Sequence, residues 1–224
     1  MTLVKICGLK DVETAKALLP LAADYVGFVF APSRRRVTAA EAGAMIRAMR
    51  ELGQERNIPA PLSVGVFVDS SADEVVRTAE EAGLDVAQLH GSETPEFCRH
   101  VRSLCGVKVW RVFSAAASDS PEHSAGPYAE AIDAMLLDTA GGGTGQTFDW
   151  GLIPAWQRWA SEHAIPLIIA GGLSPDNVGS LLADFRPDGV DVSSGVETDG
   201  AKDIHKIRAF IERVRLHDAQ ANAG

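Results

Sequence analysis

At 224 residues, 46% of them hydrophobic and 23% charged, the chain has enough material for one sizeable core, and single α/β barrels run to roughly 200–250 residues. Thirty acidic against 21 basic side chains leave a net charge of -9, which argues against broad binding to nucleic acid or anionic membranes, because those partners need a cationic surface to displace counterions. Three cysteines, Cys7, Cys98 and Cys105, without a Cys-x-x-Cys pair, argue against a disulfide framework and a zinc site. No run reaches the ~20 apolar residues of a membrane span. The expectation is a soluble cytoplasmic protein with reduced thiols and one domain over residues 1–224.

Taken in chain order, eight short β-rich runs appear: "LVKICG", "YVGFVF", "LSVGVFV", "VAQLHG", "KVWRVFS", "AMLLDT", "PLIIAGG" and "GVDVSSG". Between them lie helix-start signals: Thr38 to Glu41 and Ser71 to Glu74 as capping boxes, Thr94-Pro95, and Ser174-Pro175-Asp176. Strand-helix alternation implies a parallel sheet buried on both faces, and eight units in this length predict an α/β fold closed as a single-domain (β/α)8 TIM barrel, ahead of a doubly wound sheet. Residues 115–127, "AAASDSPEHSAGP", are the expected irregular stretch, and the tail from about 217 is expected to fray.

Period-two alternation sorts the polar residues. In "LVKICG", Val4 and Ile6 share the face toward the helices, and Lys5 and Cys7 share the inward face. The same alternation turns Gln88 with His90, Asp138, and Asp191 with Ser193 inward, near the carboxyl ends of strands, where barrel enzymes assemble their sites. A thiolate at Cys7 could remove a proton from carbon and a carboxylic acid at Asp138 could protonate a leaving oxygen, if their surroundings drive them to opposite protonation states. A buried filler for Cys7 and a cap for Asp138 are the bland alternatives. "AGGLSPDN" and "DVSSGVE", after the last two strands, offer the backbone of Gly171, Gly172, Ser193, Ser194 and Gly195 to a phosphate; tight turns would use the same residues. "DTAGGGTGQTF" brings Gly142 and Gly143 either to a ligand or into a flexible lid, and is not a Walker loop because no lysine follows in the required place.

The ordered set "KICGL", "GFVFAPSRRRV", "VGVFV", "QLHG", "LLDT", "GGTGQTFDW", "IAGGLSPDNV" and "VDVSSGVE", from Lys5 to about Ile211, resembles the phosphoribosylanthranilate isomerases of tryptophan biosynthesis. The resemblance implies a cofactor-free and metal-free barrel that converts N-(5-phosphoribosyl)anthranilate to 1-(2-carboxyphenylamino)-1-deoxyribulose 5-phosphate by an Amadori rearrangement. It implies Cys7 as general base and Asp138 as general acid. Of the Arg34-Arg35-Arg36 cluster, the Ser-x-Arg-x-Val pattern selects Arg35 over Arg36 as the active-site arginine. Substrate contacts are expected at Gln88, His90, Gly142, Gly143 and Asp191. The partner is the small phosphorylated sugar-anthranilate alone, on a monomer or homodimer. Two competing readings are another phosphate-sugar barrel, such as an epimerase, and a silent phosphate-binding domain; the second would not require both Cys7 and Asp138.

Overall fold

The computed structural model describes residues 1–115, 120–139 and 147–221. Eight parallel strands close into a barrel in sequence order. They are β1 (Leu3–Cys7), β2 (Tyr25–Val29), β3 (Leu62–Phe67), β4 (Val86–Leu89), β5 (Lys108–Ser114), β6 (Ala134–Asp138), β7 (Leu167–Ile169) and β8 (Gly189–Val192). The helices around them are α1 (Val12–Leu18), α2 (Ala39–Arg56), α3 (Ala72–Ala82), α4 (Pro95–Cys105), α5 (Pro121–Ser124), α6 (Ile153–Glu162), α7 (Val178–Phe185) and α8 (Ile204–Ala221). A two-residue hairpin, β9 (Glu197–Thr198) and β10 (Ala201–Lys202), is inserted between β8 and α8.

Local chemistry explains most boundaries. Thr38 and Glu41 form the full reciprocal capping box at α2, satisfying two amides that the helix leaves open. Ser71 accepts from Glu74 N at α3, and Thr94 accepts from Phe97 N at α4 with Pro95 at the first helical position. The start expected at Ser174-Pro175-Asp176 falls later. Asn177 accepts from Ser174 N at 2.8 Å and donates Nδ2 to Gly172 O at 2.9 Å, which holds 174–177 as a turn, and α7 begins at Val178. At the other end of the chain α8 continues through the stretch expected to fray from 217, as far as Ala221; Asp218 there accepts from both the amide and the hydroxyl of Thr2. Among its described residues the 115–127 stretch holds α5 and runs into a 3-10 turn over Gly126–Tyr128.

The strands carry two cores. One lies between barrel and helices and includes Val4, Ile6, Phe28, Met135 and Leu137. The other fills the barrel with Val64, Val86, Trp110, Val112, Leu136 and Ile168. Successive residues of β6 alternate between the two, as the strand period requires. The inner core is apolar, and the polar inward residues Cys7, Gln88, Asp138 and Asp191 sit toward the carboxyl end.

The opposite rim is pinned by a fourfold repetition. Asp24, Asp85, Asp133 and Asp188 stand immediately before the even strands, and each carboxylate accepts the backbone amide of the preceding odd strand: Val4 at 2.8 Å, Ser63 at 2.8 Å, Val109 at 2.7 Å and Leu167 at 2.8 Å. An amide at a strand start otherwise loses water without a partner, so each clamp is a charge-assisted bond stapling a strand-helix-strand unit. Asp133→Ala is expected to lower stability by about 1–3 kcal/mol, the cost of stranding a largely buried donor. Thermal unfolding should show a drop of several degrees, and kcat/KM at permissive temperature should be unchanged, because this rim is remote from the polar one.

Candidate active site

The carboxyl ends of the strands surround a cavity of about 610 Å³, lined by Cys7, Arg35, Gln88, His90, Asp138 and Asp191 among others. That volume is in the range of small-molecule sites. It gathers residues expected from the sequence on five different strands or their following loops.

Cys7 ends β1, and its register partner on β2 is Gly27. A Cβ built on Gly27 would stand 2.7 Å from Cys7 Sγ and 3.0 Å from Cys7 Cα, so the bare glycine makes the slot that the sulfur occupies. Below it Lys5, almost fully buried, pairs across β1 and β8 with Asp191, Nζ to Oδ2 at 2.9 Å. Burial pushes the Cys7 thiol up, Lys5 pulls it down, and Asp191 pushes it up again; the outcome is above the ordinary thiol value. Burial is the largest of these influences, and the pull of Lys5 does not overcome it, so the surroundings favour the thiol over the thiolate.

Asp138 ends β6 with its side chain in the same cavity. Burial pushes its carboxyl up; the neighbouring His90 and the Thr139 amide, which donates to Oδ1 at 2.7 Å, oppose this without cancelling it. His90 Nε2 lies 3.8 Å from Asp138 Oδ2, too long for a hydrogen bond, and burial pushes the imidazole down. Both groups are thus driven toward their neutral forms. For the carboxyl that direction leads toward the protonated state an acid catalyst needs. Gly171, at φ +79, allows this arrangement, since a Cβ there would come within 2.9 Å of Asp138 Oδ1 and 3.0 Å of Thr139 N.

Arg35 and Arg36 separate cleanly. Arg35 is buried and lines the cavity, while Arg36 is exposed beside it in sequence. The Arg35 stem lies over Gly8, where a Cβ would meet its Cδ at 2.6 Å and where φ is +86, so the glycine of "KICGL" serves the arginine. The guanidinium pairs with Glu197 and not with Asp138.

Glu197, Lys202 and Arg111 were passed over in the sequence. A signal existed for the first two: "TDGA" is an Asp-Gly turn, with φ +51 at Asp199 and +79 at Gly200, and it sets Glu197 opposite Lys202 in the hairpin. Arg111, on the face of β5 that it shares with Val109 and Phe113, donates to the carbonyls on both sides of His90, Leu89 at 2.9 Å and Gly91 at 2.6 Å, and so fixes the His90 backbone. No local pattern marks that role.

The two glycine-rich turns meet. A Cβ on Gly195 would collide with the Leu173 carbonyl, so the loops after β7 and β8 pack backbone to backbone, and the amides of Gly172, Ser194 and Gly195 donate to no acceptor among the described residues. Ser193 lines the cavity and donates its hydroxyl to Cys7 O at 3.1 Å. Gly142 and Gly143 lie outside the described residues. Among the described residues no group of three or more His, Cys, Asp or Glu side chains could hold a metal ion, and no helix is long and apolar enough to cross a membrane.

Gly27→Ala is expected to displace the Cys7 sulfur, lower stability by about 1–3 kcal/mol through overpacking, and depress turnover in protein that remains folded. Circular dichroism melting with a steady-state assay checks both; wild-type turnover would show that the slot is not needed.

The chain is similar to known proteins over nearly its whole length. A family model described as N-(5'phosphoribosyl)anthranilate (PRA) isomerase matches residues 4–213. The N-(5'-phosphoribosyl)anthranilate isomerase of Brevibacillus brevis is 43% identical, covering 99% of this chain and 97% of its own. The crystal structure of phosphoribosyl anthranilate isomerase from Thermotoga maritima superposes with a TM-score of 0.82 at 34% identity, covering 96% of this chain and 99% of that one. A phosphoribosyl anthranilate isomerase in complex with reduced 1-(o-carboxyphenylamino)-1-deoxyribulose 5-phosphate does so with a TM-score of 0.80 at 33% identity and the same coverage. With the barrel, the cavity and these likenesses together, the chain belongs to the N-(5'-phosphoribosyl)anthranilate isomerase family.

Proposed function

We propose that Cys7 is the general base and Asp138 the general acid of the isomerisation of N-(5'-phosphoribosyl)anthranilate, the tryptophan-biosynthetic reaction of this chain's family. The observation that carries the assignment is that the inward ends of β1 and β6 place a thiol and a carboxyl in one cavity, the carboxyl in surroundings that favour its protonated form. Asp138 gives its proton to the furanose ring oxygen as the C1–O bond breaks, and the nitrogen lone pair forms the C1=N bond of a Schiff base. Cys7 takes the C2 proton; the electron pair of that bond forms C1=C2, and nitrogen recovers its own pair. The enolamine then loses the C2 hydroxyl proton and gains one at C1. Substrate and product are isomers, so the chain's own acid and base suffice and nothing is consumed.

The other residues bind. The substrate phosphate fits the open amides of Gly172, Ser194 and Gly195, with Gly171 and Ser193 shaping the turns; adjacent amides attract an anion without a side-chain cation. Arg35 meets the anthranilate carboxylate. Asp191 Oδ1 and Gln88 Oε1 are buried with no partner among the described residues, and each suits a sugar hydroxyl. His90 flanks Asp138 as a neutral ring.

An ordinary carboxyl titrates well below an ordinary thiol and burial pushes both up here, so the productive state, acid protonated and thiol ionised, is a minority form at every pH. Its fraction is constant between the two values, falls below the Asp138 value as the thiolate is lost, and falls above the Cys7 value as the acid is lost, giving a bell in kcat/KM. The single variants separate the limbs. Residual activity of Asp138→Asn should climb with pH until Cys7 ionises, and that of Cys7→Ser should decline as pH rises through the Asp138 value. Each change should cost about 10²–10⁴-fold in turnover and leave phosphate binding intact. The reverse pairing of limb and variant would exchange the two roles.

The arginine assignment has its own test. Arg35→Ala should raise KM and lower turnover, and Arg36→Ala should match wild type. A crippled Arg36→Ala with a mild Arg35→Ala would move the binding role by one residue.

A further inference from the structure

We infer that Glu197 is a positioning residue for this reaction, holding Arg35 in the orientation that receives the substrate carboxylate, with Lys202 fixing Glu197 to the strand end that bears Cys7. The inference rests on the assignment of Arg35 to anthranilate binding.

The geometry is that of a saturated carboxylate. Glu197 Oε1 accepts from Arg35 Nε at 2.7 Å and from Lys202 Nζ at 2.9 Å; Oε2 accepts from Arg35 Nη2 at 3.0 Å and from Arg34 Nη2 at 2.8 Å. A carboxylate offers about four lone-pair sites, and here four donors meet them. Arg35 engages through its Nε–Nη2 edge. This planar, two-point grip fixes the rotation of the guanidinium and leaves Nη1 without a partner among the described residues, in a side chain that lines the cavity.

The grip is anchored. Lys202 Nζ donates to Ser193 O at 2.8 Å, and Ser193 Oγ donates to Cys7 O at 3.1 Å, so a continuous hydrogen-bonded chain runs from Arg35 through Glu197, Lys202 and Ser193 to the end of β1. Glu197 and Lys202 are register partners in the β9–β10 hairpin, whose Asp199-Gly200 turn sets the pair. Both side chains are about 95% buried. Burial pushes the Glu197 carboxyl up, but hydrogen bonds from Arg35 and Lys202 outweigh it and hold the group at about 2, ionised throughout the assay range. A single carboxylate faces three cations, so the cluster keeps an excess of positive charge where an anionic substrate enters.

Glu197→Gln keeps the shape and turns one oxygen into an NH2 group facing two donors, which must release one side of the grip. The test is a double-variant cycle of Glu197→Gln with Arg35→Ala, reading KM and kcat separately with N-(5'-phosphoribosyl)anthranilate. Glu197→Gln is expected to lower kcat/KM by about 10–100-fold, the equivalent of one charged hydrogen bond, with the same division between KM and kcat as Arg35→Ala. The double variant should be no worse than Arg35→Ala alone, and Glu197→Asp should lie between Glu197→Gln and wild type. If Glu197→Gln fails to fold, Glu197→Gln with Lys202→Met removes one charge of each sign and enters the same cycle. Effects that add, or a Glu197→Gln enzyme with wild-type kinetics beside a damaged Arg35→Ala, overturn the inference. An Arg35→Ala enzyme with wild-type KM overturns the assignment of Arg35 and this inference with it.

Discussion

The active end of this barrel depends on one buried ion pair, Lys5 Nζ to Asp191 Oδ2 at 2.9 Å, which closes the ring of strands where β1 meets β8. A lysine inside a barrel is tolerable only if its charge is matched, because leaving one partner alone in a dry interior costs several kcal/mol. Two residues on, burial governs the Cys7 thiol; Lys5 pulls it down without overcoming burial, and Asp191 adds to the rise. The same dryness acts on Asp138 in the same cavity and pushes its carboxyl toward the protonated form. A carboxyl raised toward its protonated form and a thiol raised away from its thiolate are two consequences of one environment. A raised thiol value also makes the thiolate, once formed, a stronger base.

Missing side chains shape the site as much as those present. Gly27 makes the slot for the sulfur, Gly8 the channel for the Arg35 stem, Gly171 the space beside Asp138, and Gly195 the contact between the turns after β7 and β8. Gly8 and Gly171 also take positive φ, so their replacement would add backbone strain to collision. The barrel's two ends divide the work. Carboxylates at the amino-terminal rim staple strands, and at the carboxyl-terminal rim they hold cations or face the cavity, which lets the loops change without loosening the frame.

Much of this was legible in the sequence, where the cause is local. Strand alternation in "LVKICG" and "AMLLDT" put Cys7 and Asp138 inside, and Thr38, Ser71 and Thr94 marked three helix starts that the structure contains. The helix start at Ser174 was misplaced because the Asn177 side chain ties that turn. The raised Cys7 value was not legible, since it turns on burial inside the closed barrel, to which Asp191, from the far end of the chain, adds. Glu197 closes the "DVSSGVE" run with no local mark of its own; only the hairpin and the returning Arg35 loop give it four donors. The four clamping aspartates were visible as "ADYV", "LDVA", "IDAM" and "PDGV", but which amide each meets requires the register of neighbouring strands.

The central claim is that Cys7 and Asp138 face the same sugar from opposite sides of one cavity. It is tested most directly by a crystal structure of this chain with reduced 1-(2-carboxyphenylamino)-1-deoxyribulose 5-phosphate bound. The account predicts Cys7 Sγ against the sugar C2, an Asp138 oxygen within about 3 Å of the oxygen that formed the ring, the carboxylate on Arg35, and the phosphate between the loops after β7 and β8. A ligand bound with C2 turned away from Cys7, or with that oxygen out of reach of Asp138, would contradict it.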